Sequence, residues 1–297
     1  MKFFIADAFT DSLFGGNPAG VVILDRDGDF PPDETMRKTA AELRYSETAF
    51  IKVLGDREFQ IRYFTPAAEV DLCGHATIAS FVCLVKAGIL PENCACINHT
   101  LAGDLNIEIK DGFVMMDMAS PVEMGTISEP GEMQRLYNVM GYGGEIPDFG
   151  GLKPQLISTG LPDIMMPVGS CAELDALNPD MKALSDLSAE YKVTGVHAFT
   201  VNCDDATAHC RNFAPLYDID EEAATGTSNG ALTYYFRLNG LLPDAGADGS
   251  VSCRIVQGEK MDRPSVILTD IREDADGGCL IRVGGSAVLL AEGDIKL

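Results

Sequence analysis

Basic residues are scarce in this chain: 22 lysines and arginines stand against 45 aspartates and glutamates in 297 residues, a net charge of −23. Such a field repels phosphate backbones and anionic membrane surfaces, so nucleic acid is not expected as a partner. It leaves a small anionic substrate open, because a local arrangement of backbone amides can oppose the global field. Long apolar runs are missing too. The longest uncharged stretch, Leu72 to Val85, has fourteen residues, short of the roughly twenty that cross a bilayer, so no membrane partner is expected. Met1 to Asp7 holds one lysine and a brief apolar run, which reads as a strand and not as a signal peptide. The nine cysteines are an odd count without the spacing of a secreted disulfide framework, which points to a reducing cytoplasm. The four histidines, at 75, 99, 197 and 209, are far apart, and Cys94-Ala95-Cys96 has no second pair to complete a zinc site, so no metal is expected. Gly141-Tyr142-Gly143-Gly144 lacks the strand-to-helix setting of a dinucleotide fingerprint.

Short β-type runs dominate what is present. They cover Phe3 to Ala8, Thr48 to Val53, Phe59 to Phe64, Leu101 to Ile109 and Phe113 to Met118, then Gln155 to Ser158, Val196 to Asn202 and Thr207 to Phe213. Ser250 to Val256, Ser265 to Ile271, Leu280 to Val283 and Ala287 to Ala291 complete the set. Helical periodicity and start signals mark Pro32 to Leu43, His75 to Ala87, Glu129 to Met140, Asp180 to Tyr191 and Thr227 to Leu238. Strands mostly follow one another without regular alternating helices, so the chain is of the α+β class, with sheets wrapped around a few helices. A hydrophobic content of 46% is enough for a substantial core, and the length of 297 residues suggests two domains of ordinary size rather than one large one. Ala119 to Gly151, with Pro121, Pro130 and Pro147, is the best boundary region.

An internal repeat organises these elements. Arg62-Tyr63-Phe64-Thr65-Pro66 matches Arg211-Asn212-Phe213-Ala214-Pro215 at an offset of 149 residues, and the same offset aligns Ala49-Phe50 with Ala198-Phe199 and Asp71 with Asp220. Gly74 then falls on Gly226 at 152, and that offset holds for Ala79 with Ala231 and Gly88 with Gly240. Each half therefore supplies a strand, an acidic loop, a glycine and an apolar helix. Gly74 and Gly226 stand where helices begin, and if the halves face one another about a pseudo-twofold axis, both helix N-termini point into one cleft. Their unpaired N–H groups could hold a carboxylate there. The plainer alternative is that both loops are only helix caps.

The segments Gly16-Asn17-Pro18-Ala19, Ser46-Glu47-Thr48-Ala49-Phe50, Phe64-Thr65-Pro66, Asp71-Leu72-Cys73-Gly74-His75-Ala76-Thr77 and Thr225-Gly226 resemble, in order and spacing, those of the PhzF-like phenazine-biosynthesis proteins. The resemblance spans most of the chain. It implies a diaminopimelate-epimerase-like fold of two pseudo-symmetric domains, each a β-sheet wrapped around a central helix. The first would cover residues 1–120, completed by a last strand near 287–297, and the second 121–286, with the active site in the cleft between them. It further implies a homodimer and an isomerase that moves a proton within a small carboxylate substrate without metal or organic cofactor.

The family's proton-transferring glutamate falls on Glu47, which opens an apolar strand; the 149-residue offset sets Val196 opposite it, so one half alone supplies the group. A carboxylate that takes a proton from carbon works best partly shielded from water. The bland alternative is a surface glutamate at a strand end. His75 is either a helix-start residue bonded to a neighbouring carboxylate or a donor that steadies substrate and relays a proton, with Asp71 placed to orient it or to cap the helix. Glu222 is the third catalytic candidate, while Asn17, Ser46, Asp71, Cys73, Gly74, Gly226 and Thr227 are candidates for substrate binding. Where the family reads Asp-Pro-x-Thr-Gly-Ser, this chain has Glu222-Ala223-Ala224-Thr225-Gly226-Thr227. A longer acid and an added methyl reshape the pocket and argue against the phenazine precursor itself as substrate. Epimerases and racemases of this fold use two thiols, one on each face of the substrate carbon. Here Cys73 stands at the first place and Thr225, too weak an acid, at the second. The alternatives are such an epimerase or racemase, or a protein that binds a small carboxylate without transforming it.

Overall fold

A computed structural model describes residues 1–246, 249–273 and 278–297. They form two compact units, one of Met1–Asp117 with Gly284–Leu297 and one of Met118–Val283.

The first unit opens with β1 (Lys2–Ala8), β2 (Asn17–Ile23), α1 (Asp33–Leu43), β3 (Thr48–Val53), β4 (Glu58–Phe64) and β5 (Glu69–Val70). It continues through α2 (Gly74–Lys86), β6 (Cys94–Thr100), β7 (Gly103–Lys110) and β8 (Phe113–Asp117). β1 runs antiparallel to β2, β2 parallel to β3, β3 antiparallel to β4, β4 parallel to β6, and β6 antiparallel to β7. The C-terminal strand Ala287–Asp294 pairs antiparallel with the free side of β1, and the Ile295 amide bonds the Met1 carbonyl at 3.1 Å. Every residue of α2 from His75 to Leu84 is buried. A helix apolar on all sides belongs inside, and this one packs on β1, β2, β3, β8 and the C-terminal strand. Met36 and Ala40 of α1 close a separate cluster with Val22, Leu24, Phe50 and Phe64.

The second unit repeats this order. β9 (Val122–Thr126) pairs antiparallel with β10 (Gln155–Ser158), as the C-terminal strand does with β1; α3 (Pro130–Val139) lies between them in sequence. β11 (Pro162–Pro167) runs antiparallel to β10 and parallel to β12 (Gly195–Thr200), with α4 (Cys171–Ala176) and α5 (Met181–Tyr191) in the place of α1. β13 (Ala208–Ala214) is antiparallel to β12 and to β14 (Ile219–Glu222) and parallel to β15 (Val251–Gln257), which pairs with β16 (Ser265–Glu273). β17 (Cys279–Gly285) and β18, the C-terminal strand, follow. α6 (Gly226–Asn239) takes the role of α2: its Ala231, Leu232, Tyr235 and Phe236 pack with Phe199, Ala208 and Cys210. The alternate residues Val196, Ala198 and Phe213 pack with α3, α4 and α5, so β12 and β13 are buried along their whole length.

The repeated residues are largely structural. Arg62 forks onto Glu69 at 2.7 and 2.6 Å, and Arg211 onto Glu221 at 2.8 Å twice. Each guanidinium also lies over the ring two residues on, Phe64 or Phe213. The Gly-Ile-Leu and Gly-Leu-Leu matches are one C-terminal cap used twice. Gly88 and Gly240 adopt positive φ of 70° and 67°, and the following amides, Ile89 and Leu241, bond back to Leu84 and Phe236 at 3.0 and 2.8 Å.

Strand register corrects one expectation. Thr48 sits opposite Phe64 and Val196 opposite Phe213, so Val196 is the counterpart of Thr48, and Gly195, not Val196, stands where Glu47 does. A Cβ at Gly195 would overlap the Phe213 carbonyl oxygen, leaving no room for a side chain. The region 119–151, read as a boundary, carries β9 and α3 and belongs to the second unit. Leu101 lies in a turn and not in a strand, with β7 starting at Gly103.

Candidate functional site

Parallel pairing of β2 with β3, Gly20 opposite Thr48, sets the N-terminal ends of both strands side by side. Asn17 opens β2, and Ser46 and Glu47 immediately precede β3. Gly16 makes this possible: its φ is +62°, and a Cβ there would overlap the Ala8 carbonyl oxygen. α2 starts at the same place, with Cys73 as its N-cap residue and His75 in its first turn.

His75 is the hub. Asn17 Nδ2 lies 3.1 Å from Nδ1, Ser46 Oγ 3.3 Å from Nε2, Cys73 Sγ 3.4 Å from Nδ1, and Glu47 Oε2 3.2 Å from Nε2. With the Asn17 amide donating to Nδ1, the ring proton is assigned to Nε2 and faces Ser46 and Glu47. Burial pushes the imidazole below the usual histidine range, and the neighbouring Glu47 carboxylate opposes this without reversing it. His75 is therefore neutral at pH 7. The Glu47 side chain is 13% exposed, which sets aside the reading of a surface glutamate. Its Oε2 is buried and accepts no hydrogen bond of good geometry, so the 3.2 Å approach to His75 acts through charge and leaves the oxygen's lone pair unused.

The start of α2 is not capped by a side chain, and its first turn holds no acidic residue. The same holds at α6, whose N-cap is Thr225. The leading amides, Gly74 and His75 in one unit and Gly226 and Thr227 in the other, therefore receive no side-chain cap and keep the positive end of the helix dipole. Asp71 neither caps α2 nor orients His75: it is exposed, its carbonyl accepts from the Ala102 amide at 3.3 Å, and Asn17 and Ser46 orient the ring instead.

The structure thus gathers Asn17, Ser46, Glu47, Cys73, Gly74 and His75 in the first unit, and Glu222, Gly226 and Thr227 around the start of α6 in the second. Glu222 closes β14, and its carbonyl accepts from Gln257 Nε2 at 2.7 Å. Gln257 was invisible in the sequence. It also reaches Thr225 Oγ1 at 3.1 Å and accepts from the Thr225 amide at 3.2 Å, fixing the whole turn. Beneath that turn runs a buried chain from Asp163 through Ser228 and Asn212 to His197. Burial raises the Asp163 carboxyl to about 6 and lowers the His197 imidazole to about 3.

Among the described residues, two clusters have the donor atoms to hold a metal ion, which sequence spacing did not reveal. Glu47, Cys73 and His75 offer one ligand atom each within 4.8 Å of one another, as do Cys171, Cys203 and His209. The last two cysteines are joined as a disulfide.

The fold is of the diaminopimelate-epimerase-like kind. A family model described as phenazine biosynthesis-like protein, PhzC-PhzF, matches residues 6–293. The chain belongs to that family. It is 32% identical over 300 residues to an uncharacterized isomerase of Clostridium acetobutylicum, covering 98% of this chain and 96% of the relative. A crystal structure of a Bacillus anthracis phenazine biosynthesis protein of the PhzF family superposes with a TM-score of 0.86 at 24% identity, over 100% of this chain and 99% of that one. A hydroxyproline epimerase from Agrobacterium vitis shares the fold with a TM-score of 0.62 at 13% identity, over 99% of this chain and 91% of that one. Among the described residues no helix is long and apolar enough to cross a membrane.

Proposed function

We propose that this protein is a cofactor-independent isomerase that shifts a proton within a small carboxylate substrate, with Glu47 as the proton carrier. The observation that carries the reading is the Glu47 carboxylate: half-buried, with its Oε2 fully buried and free of hydrogen bonds, beside a neutral imidazole. A carboxylate kept from water with a lone pair unspent suits removal of a proton from an activated carbon, and the Nε2–H of His75 can steady charge that develops on the substrate. The uncapped N-terminus of α2 offers its amides to the substrate carboxylate. Relatives named as isomerases agree with this chemistry. Thr225 at the place of a second thiol weighs against a two-thiol epimerase.

The test is mass-spectrometric deuterium wash-in from heavy water, with a pool of unsaturated cyclic acids and amino acids, comparing wild type with Glu47→Gln. Loss of the base lowers exchange by about 10²–10⁴-fold. Equal wash-in by both proteins removes Glu47 from the scheme, and saturable binding without exchange by wild type favours a binding protein. Exchange that survives dialysis against a chelator is expected; its loss would assign a metal to Glu47, Cys73 and His75.

A further inference from the structure

Cys171 is the first residue of α4, Cys203 follows β12, and their Cα atoms lie 6.4 Å apart. His209, on β13, joins them with 6% of its surface exposed. Both of its ring nitrogens face carboxylates, Nδ1 with Glu259 at 2.6 Å and Nε2 with Asp205 at 2.8 Å. One ring nitrogen and the two sulfurs lie within 4.8 Å of one another. A cavity of about 210 Å³ opens beside them, lined by Cys171, Leu174, Asp175, His209, Glu259 and Lys260.

We propose that the reduced protein binds one zinc-class divalent cation here, through Cys171 Sγ, Cys203 Sγ and a His209 ring nitrogen. The fourth position falls to one of the two carboxylates or to water from the cavity. Two thiolates and an imidazole are the donor set such a cation prefers. Tetrahedral zinc separates its donors by about 3.5–3.8 Å, so on reduction the two sulfurs must swing apart from bonding distance. To ligate, one His209 ring nitrogen exchanges its carboxylate partner for the ion, while the carboxylate on the other nitrogen keeps the ring oriented, as in metal-bound histidines. The thiolate charges balance the cation, and Asp175, Asp205 and Glu259 outnumber Lys260 around it.

The disulfide is the same site in its oxidised form. A dithiol supplies two electrons, becoming a disulfide itself, and the Cys171–Cys203 bond opens to two thiols. Binding then releases both thiol protons. None of these residues belongs to the cluster around His75, so the site stands apart from the proposed function.

The test is cobalt titration of the full chain, reduced with a phosphine and desalted without oxygen, alongside the oxidised chain and the variants C171S, C203S, H209N and C73S. One equivalent is expected to give thiolate-to-cobalt absorption in reduced wild type and in C73S. Oxidised wild type, C171S and C203S should lack it, and H209N should bind at least tenfold more weakly while circular dichroism shows it folded. No thiolate absorption in reduced wild type overturns the proposal. So does absorption that persists in C171S and C203S, or that is lost in C73S.

Discussion

Asn17 donates to His75 Nδ1 at 3.1 Å, and this bond sets which ring nitrogen carries the proton beside Glu47. Losing it costs about 1–3 kcal/mol of ordered geometry, so Asn17→Ala should slow deuterium exchange about 10–100-fold. Asn17→Asp should be worse. A carboxylate accepts from Nδ1–H, moves the proton away from Nε2 and sets a lone pair against Glu47. Nitrogen-15 NMR of His75 should report the altered tautomer, and an Asn17→Asp rate at or above that of Asn17→Ala would contradict the assignment.

His75 predicts the pH profile. Burial favours its neutral form, so protonation is displaced below the ordinary value of 6.5. Exchange should therefore stay level as pH falls through 6.5 and decline only further down. A limb centred at or above 6.5 that disappears in His75→Asn would overturn this.

Asp163 and His197 pull stability in opposite directions. For Asp163, raised from 3.8 to about 6, the folded state binds the extra proton, so stability rises as pH falls from about 6 to 3.8. For His197, lowered from 6.5 to about 3, the unfolded state binds it, and stability falls as pH drops from 6.5 toward 3. Over the shared window the two offset each other. Asp163→Asn removes one side, so between pH 6 and pH 4 the variant should lose about 3 kcal/mol relative to wild type, read by urea unfolding at each pH. A constant difference across that window would contradict the raised carboxyl.

Gly195 tests the asymmetry of the duplication. A methyl there meets the Phe213 carbonyl, so Gly195→Ala should destabilise by about 1–3 kcal/mol through forced backbone movement. A urea midpoint unchanged from wild type would show that the strand has room after all.

The sequence carried the elements whose local pattern agrees with their surroundings. Thr48–Val53 and Gln155–Ser158 are strands to the residue, and α2 and α6 were legible from apolar runs ending in glycine. β2 and β11 were not, because Pro18, Gly20, Pro162 and Pro167 read as breakers. In the fold Pro18 and Pro162 sit near strand starts, and a Cβ at Gly20 would crowd Thr48 Oγ1 at 3.0 Å. β6, β9, β14 and α4 were also missed, being short or mixed in pattern. At the site, Glu47 and His75 stood out through the family resemblance, and their mutual contact follows from the packing of α2 on β2 and β3. Gln257, Asp163 and the Cys171–Cys203–His209 group had no signal, since each acts across tens of residues that only tertiary structure brings together.

The strand Ala287–Asp294 closes the sheet of a unit whose other residues end at Asp117. Synthesis on a ribosome therefore delivers this protein out of order. Met118–Val283 is continuous and can complete its own sheet while the chain is still being made. Met1–Asp117 must wait, with one side of β1 unpaired, until Ala287–Asp294 leaves the tunnel. Nascent chains stopped short of residue 284 should engage chaperones through that open edge, and release of the C-terminal strand is the event that ends the exposure.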